Sequence, residues 1–298
     1  MPGFDHLFAA PKTIASDDGG ILVAEEQDPD RASAAAPWFK EGALFLFLMI
    51  LLAAGAMAFS LWRARRGKPF YIRPIPGLNA VEEAVGNATE LGKPIFYCSG
   101  VAPLSCPGVL ASLIVLGWVA EKTARYGAQL TCPVNNALNL TAGQEIVKES
   151  YLKAGRPEAY DDDMVYFISG EQFAYAAAVC GVMERERPAA NLFFGSFWSE
   201  ALILTESGAV TGAMQIAATD SEHQLPFMVA TCDHVIIGEE FFAASAYLSD
   251  DPQVKASLKA QDIVKAVILL LIIAGAGLAT LHELLGWEVE GFFEFFRR

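Results

Sequence analysis

The chain has 298 residues, of which 53% are hydrophobic and only 19% charged. With a mean hydropathy of +0.33 it is too apolar for an ordinary soluble enzyme and too well mixed for disorder. Its 21 basic and 35 acidic residues leave a net charge of -14, which argues against a nucleic-acid partner, because phosphate binding needs clustered positive charge.

Residues 1–41 join Asp17, Asp18, Gly19 and Gly20 to an acidic stretch and an alanine-rich run, so they are expected to form an external, flexible segment. No basic start or early apolar run marks a cleavable leader, so the following helix is expected to remain as an anchor. Residues 42–62 carry no charge, and about 20 such residues at 1.5 Å each match a hydrocarbon core of about 30 Å. This segment is expected to span a membrane. Its small residues Ala54, Gly55 and Ala58 would let a second helix approach closely. Arg63, Arg65, Arg66 and Lys68 follow directly and are expected to hold this end in the cytoplasm, with the acidic N-terminal side outside.

Residues 63–258 are expected to form a cytoplasmic domain. Short β-like runs at 94–98, 128–132, 164–168, 191–194, 214–218 and 226–231 alternate with helical patterns near 80–91, 104–126, 141–155, 171–187, 198–207 and 234–249. Such alternation predicts an α/β fold, a doubly wound and mostly parallel sheet covered by helices on both faces. A second apolar segment, 263–281, has Lys265 as its one charge, near an end where it can snorkel, and carries Gly275 and Ala279 for close packing. It is the second expected membrane span. Residues 282–298 place aromatics among glutamates and are expected to lie outside as an amphipathic tail.

Ligands of open parallel sheets bind beyond the carboxyl ends of the strands. The expected strands put Cys98, Ser99, Cys132, Ser196, Cys232, Asp233 and His234 there, a mixture able to hold a metal or a phosphate or to supply a nucleophile and a base. Against this, no C-x-x-C, H-E-x-x-H or glycine-rich phosphate loop occurs, and the five cysteines are all isolated, as suits buried thiols in a reducing compartment. Glu200 sits in an apolar stretch, either buried as a proton acceptor or paired with Arg185 or Arg187. The acidic triplet Asp161, Asp162 and Asp163 reads as a solvated turn rather than a cation site.

Five stretches, PGLNAVEEAVG at 76–86, SYLKAGRP at 150–157, QFAYA at 172–176, HQLPF at 223–227 and ASAYL at 244–248, resemble a bacterial two-helix membrane-protein family of unknown function. The resemblance covers roughly residues 70–275 and implies a cytoplasmic α/β domain between two membrane helices, with no activity to carry over. The leading expectation is therefore a scaffold or accessory subunit in the inner membrane that self-associates or joins a larger complex, with the lipid bilayer as its surroundings and no catalysis of its own. The alternative is an enzyme or small-molecule sensor using the strand-end crevice.

Overall fold

The computed structural model describes residues 14–15, 21–22, 43–66, 75–249 and 251–285. Most of the expected external segment, Lys68 and the tail from 286 onward lie outside them. The chain divides into two units, residues 1–51 with 277–298, and residues 52–276. In the first unit β1 (Ile14–Ala15) pairs antiparallel with β2 (Ile21–Leu22), Ile14 opposite Leu22. That unit also holds one end of each of two long helices, α1 (Ala43–Arg65) and α9 (Pro252–Leu285).

The second unit carries the sheet. In chain order it contains α2 (Pro76–Leu91), β3 (Ile95–Gly100), α3 (Pro107–Tyr126), β4 (Leu130–Val134), α4 (Ala137–Lys153), β5 (Val165–Phe167), α5 (Gln172–Glu186), β6 (Ala190–Ser196), α6 (Ala201–Val210), β7 (Met214–Thr219), α7 (Leu225–Thr231), β8 (His234–Ile237) and α8 (Glu239–Leu248). Local chemistry sets most boundaries. α2 and α3 open on Pro76 and Pro107, where a missing N–H costs nothing, and end at Gly92 and Gly127 in the left-handed conformation. The Asn136 side chain accepts from the Leu138 N–H to start α4, and the Glu171 carboxylate accepts from the Phe173 and Ala174 N–H groups to start α5.

All six strands are parallel, in the order β5-β4-β3-β6-β7-β8. Alternate residues point to opposite faces, and two apolar cores result. The larger joins Ile95, Tyr97, Leu192 and Phe194 to α2, α3, α4 and α8. The smaller joins Phe96, Cys98 and Phe193 to α5, α6 and α7. In the larger core Tyr97 stacks on Phe194 with ring centroids 6.0 Å apart, and Phe241 meets Phe194 edge-on at 6.2 Å. Each such fully buried ring contributes about 1.5–3 kcal/mol by area alone.

The α/β fold with a parallel sheet is as expected, and five of the six β-like runs coincide with strands. The sixth does not. Residues 226–231 lie in α7, and the expected helix 234–249 is β8 followed by α8. Pro226 belongs in a first helical turn, and the Asp233 N–H donates to the Gln215 carbonyl while its carboxylate accepts the Gln215 N–H. That exchange delivers the chain to the edge of β7 at His234, and Gly238 at φ 53° ends the strand before α8.

Among the described residues three helices are long and apolar enough to cross a membrane: most of α1, α3, and α9 through Thr280. The apolar stretch of α3 is 61% buried inside the domain, so its hydrophobicity is accounted for by the sheet it covers. That of α9 is 0% buried and that of α1 11%.

The strand ends impose a sharp test. Gly195 has φ 150°, and a Cβ there would lie 2.1 Å from the Ser99 carbonyl oxygen. Gly86, inside α2, would place a Cβ in open space. Gly195→Ala is expected to lower unfolding free energy by about 3 kcal/mol or more, whereas Gly86→Ala raises it by about 0.5–1 kcal/mol, both measured by urea denaturation in detergent.

Candidate functional site

From β3 the chain winds outward through β4 to β5, then returns to place β6 on the other side of β3. The carboxyl ends of β3 and β6 flank this reversal, where an open sheet ordinarily leaves a crevice. Here the two strand ends come into direct backbone contact. A Cβ on Gly100, itself at φ 81°, would lie 2.3 Å from the Ser196 carbonyl oxygen, the counterpart of Gly195 against Ser99. Two glycines thus let the strand ends touch through their backbones.

Above that contact the Ser196 hydroxyl donates to Asp220 Oδ1 at 2.7 Å. Both groups press on the first turn of α3: a Cβ on Gly108 would lie 2.2 Å from Ser196 Oγ and 2.7 Å from Asp220 Oδ1. Helix N-termini favour negative charge, and here the chain's own carboxylate provides it. The loop 101–106 is tethered by Asn135 Nδ2 donating to the Val101 carbonyl at 2.8 Å and Asn139 Nδ2 donating to that of Ala102 at 3.1 Å. The buried Ser99 hydroxyl and the Oδ1 atoms of Asn135 and Asn139 have no hydrogen-bond partner.

On the face toward α5, Cys98 Sγ lies 3.3 Å from the Tyr175 hydroxyl, which donates to the Pro133 carbonyl at 2.9 Å. Glu200 is fully buried. Its carboxylate accepts from Gln172 Nε2 at 2.6 Å and the Trp198 N–H at 3.0 Å, so the neighbours that hold it are an amide and a backbone group rather than Arg185 or Arg187. Burial pushes the Cys98 thiol up to about 11 despite the opposing Tyr175 hydrogen bond, and raises Tyr175 well above its ordinary value. Cys98 is a buried neutral thiol at pH 7, the reverse of an activated nucleophile.

Of the seven residues expected to share the crevice, Cys98, Ser99 and Ser196 lie at this edge. Cys132 is central in β4, buried on the other face of the sheet, its thiol raised by burial. Cys232 and Asp233 precede β8 and His234 opens it, so all three occupy the opposite, amino edge. Asp233 holds β7 there, His234 is exposed, and burial pushes Cys232 up to about 11 against the Thr231 hydrogen bond. Among the described residues no three His, Cys, Asp or Glu side chains converge to hold a metal ion. Asp161 accepts from the Asp163 N–H at 3.1 Å and so caps a short turn. Sequence reasoning missed Tyr175 and Gln172, two helical residues whose polar ends turn inward with no spacing signal to reveal them, and the role of Gly108.

A separate cavity of about 340 Å³ lies between α8 and α9, lined by Glu239, Phe242, Leu258, Lys259, Asp262 and Lys265 among others. Lys265 pairs with Glu239, and Lys259 with Asp262 at 2.9 Å, so its cations are already engaged.

The family described as a domain of unknown function (DUF6754) matches residues 34–289. The match takes in most of the chain, and the protein belongs to that family. No curated protein and no solved structure matches it.

The raised thiols set a pH response. Cys98 and Cys232 have folded values of about 11 against an ordinary 9.0, so the unfolded chain ionises first as pH rises. The stability these neutral thiols contribute is intact below about pH 9 and lost as pH climbs to about 11. The unfolding temperature is expected to be flat from pH 7 to 8.5 and to fall above 9, with a shallower fall in Cys98→Ala.

Proposed function

We propose that the protein is a membrane-anchored scaffold or accessory subunit that self-associates, its doubly wound α/β domain lying on the cytoplasmic side and performing no catalysis. The observation that carries this reading is the closed reversal point. The strand order matches the pattern in which nucleotide-binding sheets place a ligand between the two central strands. In this chain Gly100 meets Ser196 there, Gly195 meets Ser99, and the Ser196 hydroxyl donates to Asp220.

The helices supply the second support. Leu46, Ile50, Phe59, Leu269, Leu270, Ile272 and Ile273 are exposed, an arrangement suited to lipid or to another helix. Along α1 the buried stripe is Ala56, Ser60 and Ala64 at every fourth residue, whereas Ala54, Gly55 and Ala58 are exposed. On α9 Ala279 is exposed and Gly275 half-buried. The small residues singled out for packing are therefore largely uncovered within one chain, as a face kept for a neighbouring copy would be. Arg63 and Arg65 end α1 and Arg66 follows it, and Lys255, Lys259 and Lys265 precede the apolar stretch of α9, which favours a cytoplasmic domain with two outward-running helices.

A Cβ on Gly55 or on Gly277 would meet nothing within 4 Å, so larger side chains there leave the subunit intact. Light scattering of the detergent-extracted particle, with detergent mass subtracted, is expected to give several copies. Gly55→Leu with Gly277→Leu is expected to reduce that number while the circular dichroism is unchanged. A monomeric wild-type particle bound to no other protein overturns the proposal.

A further inference from the structure

The membrane helix leaves the domain at a defined edge. α9 begins beside the lower half of the domain, where Ser249 and Asp251 line a cavity with Gly117, Trp118 and Lys153. Thirteen residues later Lys265 pairs with Glu239, which opens α8 just beyond the carboxyl end of β8. Thirteen helical residues rise about 20 Å, which is also the height of a six-residue strand. Helix and strands therefore reach the carboxyl edge together, and from Ala266 to Leu281 α9 carries no charge.

That edge is unusually apolar for a set of loops. Phe167 ends β5, Phe173 lies in the first turn of α5, Trp198 follows β6, Phe227 lies in the first turn of α7 and Ile237 ends β8. All five are exposed, Trp198 at 51% and Phe173 at 54%. The hydrogen bond from Gln172 to the buried Glu200 ties the start of α5 to the start of α6, fixing Phe173 and Trp198 beside adjacent ends. Tryptophan and phenylalanine exposed at an edge from which an apolar helix departs suit the headgroup layer. Glu171, Glu222 and Glu239 share the edge, so attraction to anionic lipid is not the driving term.

We propose that the carboxyl edge of the sheet rests on the bilayer, with Trp198 and Phe173 seated at the boundary between headgroups and acyl chains. The contact is a second attachment besides the helices, and it orients the sheet end-on to the membrane. It also explains why the edge that normally admits ligands is the one closed by the chain's own groups. The inference depends on the membrane-anchored reading above.

Single-tryptophan proteins retaining Trp62, Trp118 or Trp198, with the other four tryptophans replaced by phenylalanine, would be placed in lipid discs of phosphatidylcholine or its brominated form. Trp62 ends the apolar run of α1 and reports anchoring, while half-buried Trp118 on α3 reports a site away from the edge. A ring at the headgroup and acyl boundary comes within reach of the bromines, so Trp198 emission is expected to fall about twofold, Trp62 at least as far, and Trp118 hardly at all. If Trp62 is quenched and Trp198 responds only as Trp118 does, the edge contact is overturned while anchoring stands. If Trp62 is not quenched, the anchoring fails and this proposal with it. Should the fourfold replacement unfold the domain, the difference in quenching between the native chain and Trp198→Phe decides the same question.

Discussion

The backbone contact between the carboxyl ends of β3 and β6 is the constraint on which the centre of this molecule depends. Two glycines at positive φ, Gly100 and Gly195, each face the other strand's carbonyl with no room for a Cβ. Because the ends close, the Ser196 hydroxyl sits within reach of Asp220, and because Asp220 sits there, the first turn of α3 receives a carboxylate. Gly108 completes the sequence of dependencies, for any side chain would push the pair away from the helix. The helix dipole, commonly used to bind an anion from solution, is here satisfied from within.

Several other polar groups in the domain's interior brace a chain reversal. Glu200 is held by Gln172 and the Trp198 N–H, and the pair fixes the loop after β6. Asn135 and Asn139 anchor the loop after β3, leaving one oxygen each without a partner. Asn191 and Gln215 stand opposite each other on β6 and β7, and Gly208 of α6 leaves space for both. An unpartnered buried polar atom costs about 1–3 kcal/mol, so these groups weaken the local interior while fixing its geometry. The smaller core, which holds Glu200 and Cys98, is the less uniform of the two in chemistry.

The parallel sheet was legible because strands buried on both faces read as continuous apolar runs, and residues 94–98 and 191–194 are such runs. The edge strand was not. β8 is four residues long with an exposed His234, and the residues after it continue as α8, so periodicity merged the two. Misplacing one strand moved Cys232, Asp233 and His234 to the wrong edge, since the edge a residue occupies depends on whether it precedes or follows its strand. Small residues on α1 were recognisable as packing residues, yet which of them face inward depends on helix rotation. Among the described small residues of α1, only Ala56, Ser60 and Ala64 are buried within the chain.

A single unbroken α9 ties these features together. Its first turns bury Ala256 and Ala260 against the domain, and the same helix then continues as an apolar rod. A hinge between the domain and the apolar part of this helix would need a glycine or proline near residue 265, and from Gln253 to Ala274 there is neither. A flexible tether would leave the sheet free to turn any edge toward the bilayer, whereas in the proposed arrangement a continuous helix with Ala256 and Ala260 packed on the domain would present the carboxyl edge. On the proposed reading, the closed reversal point and the exposed aromatics would follow from one circumstance: the edge that other α/β proteins open to solutes would face the membrane and serve as a contact surface.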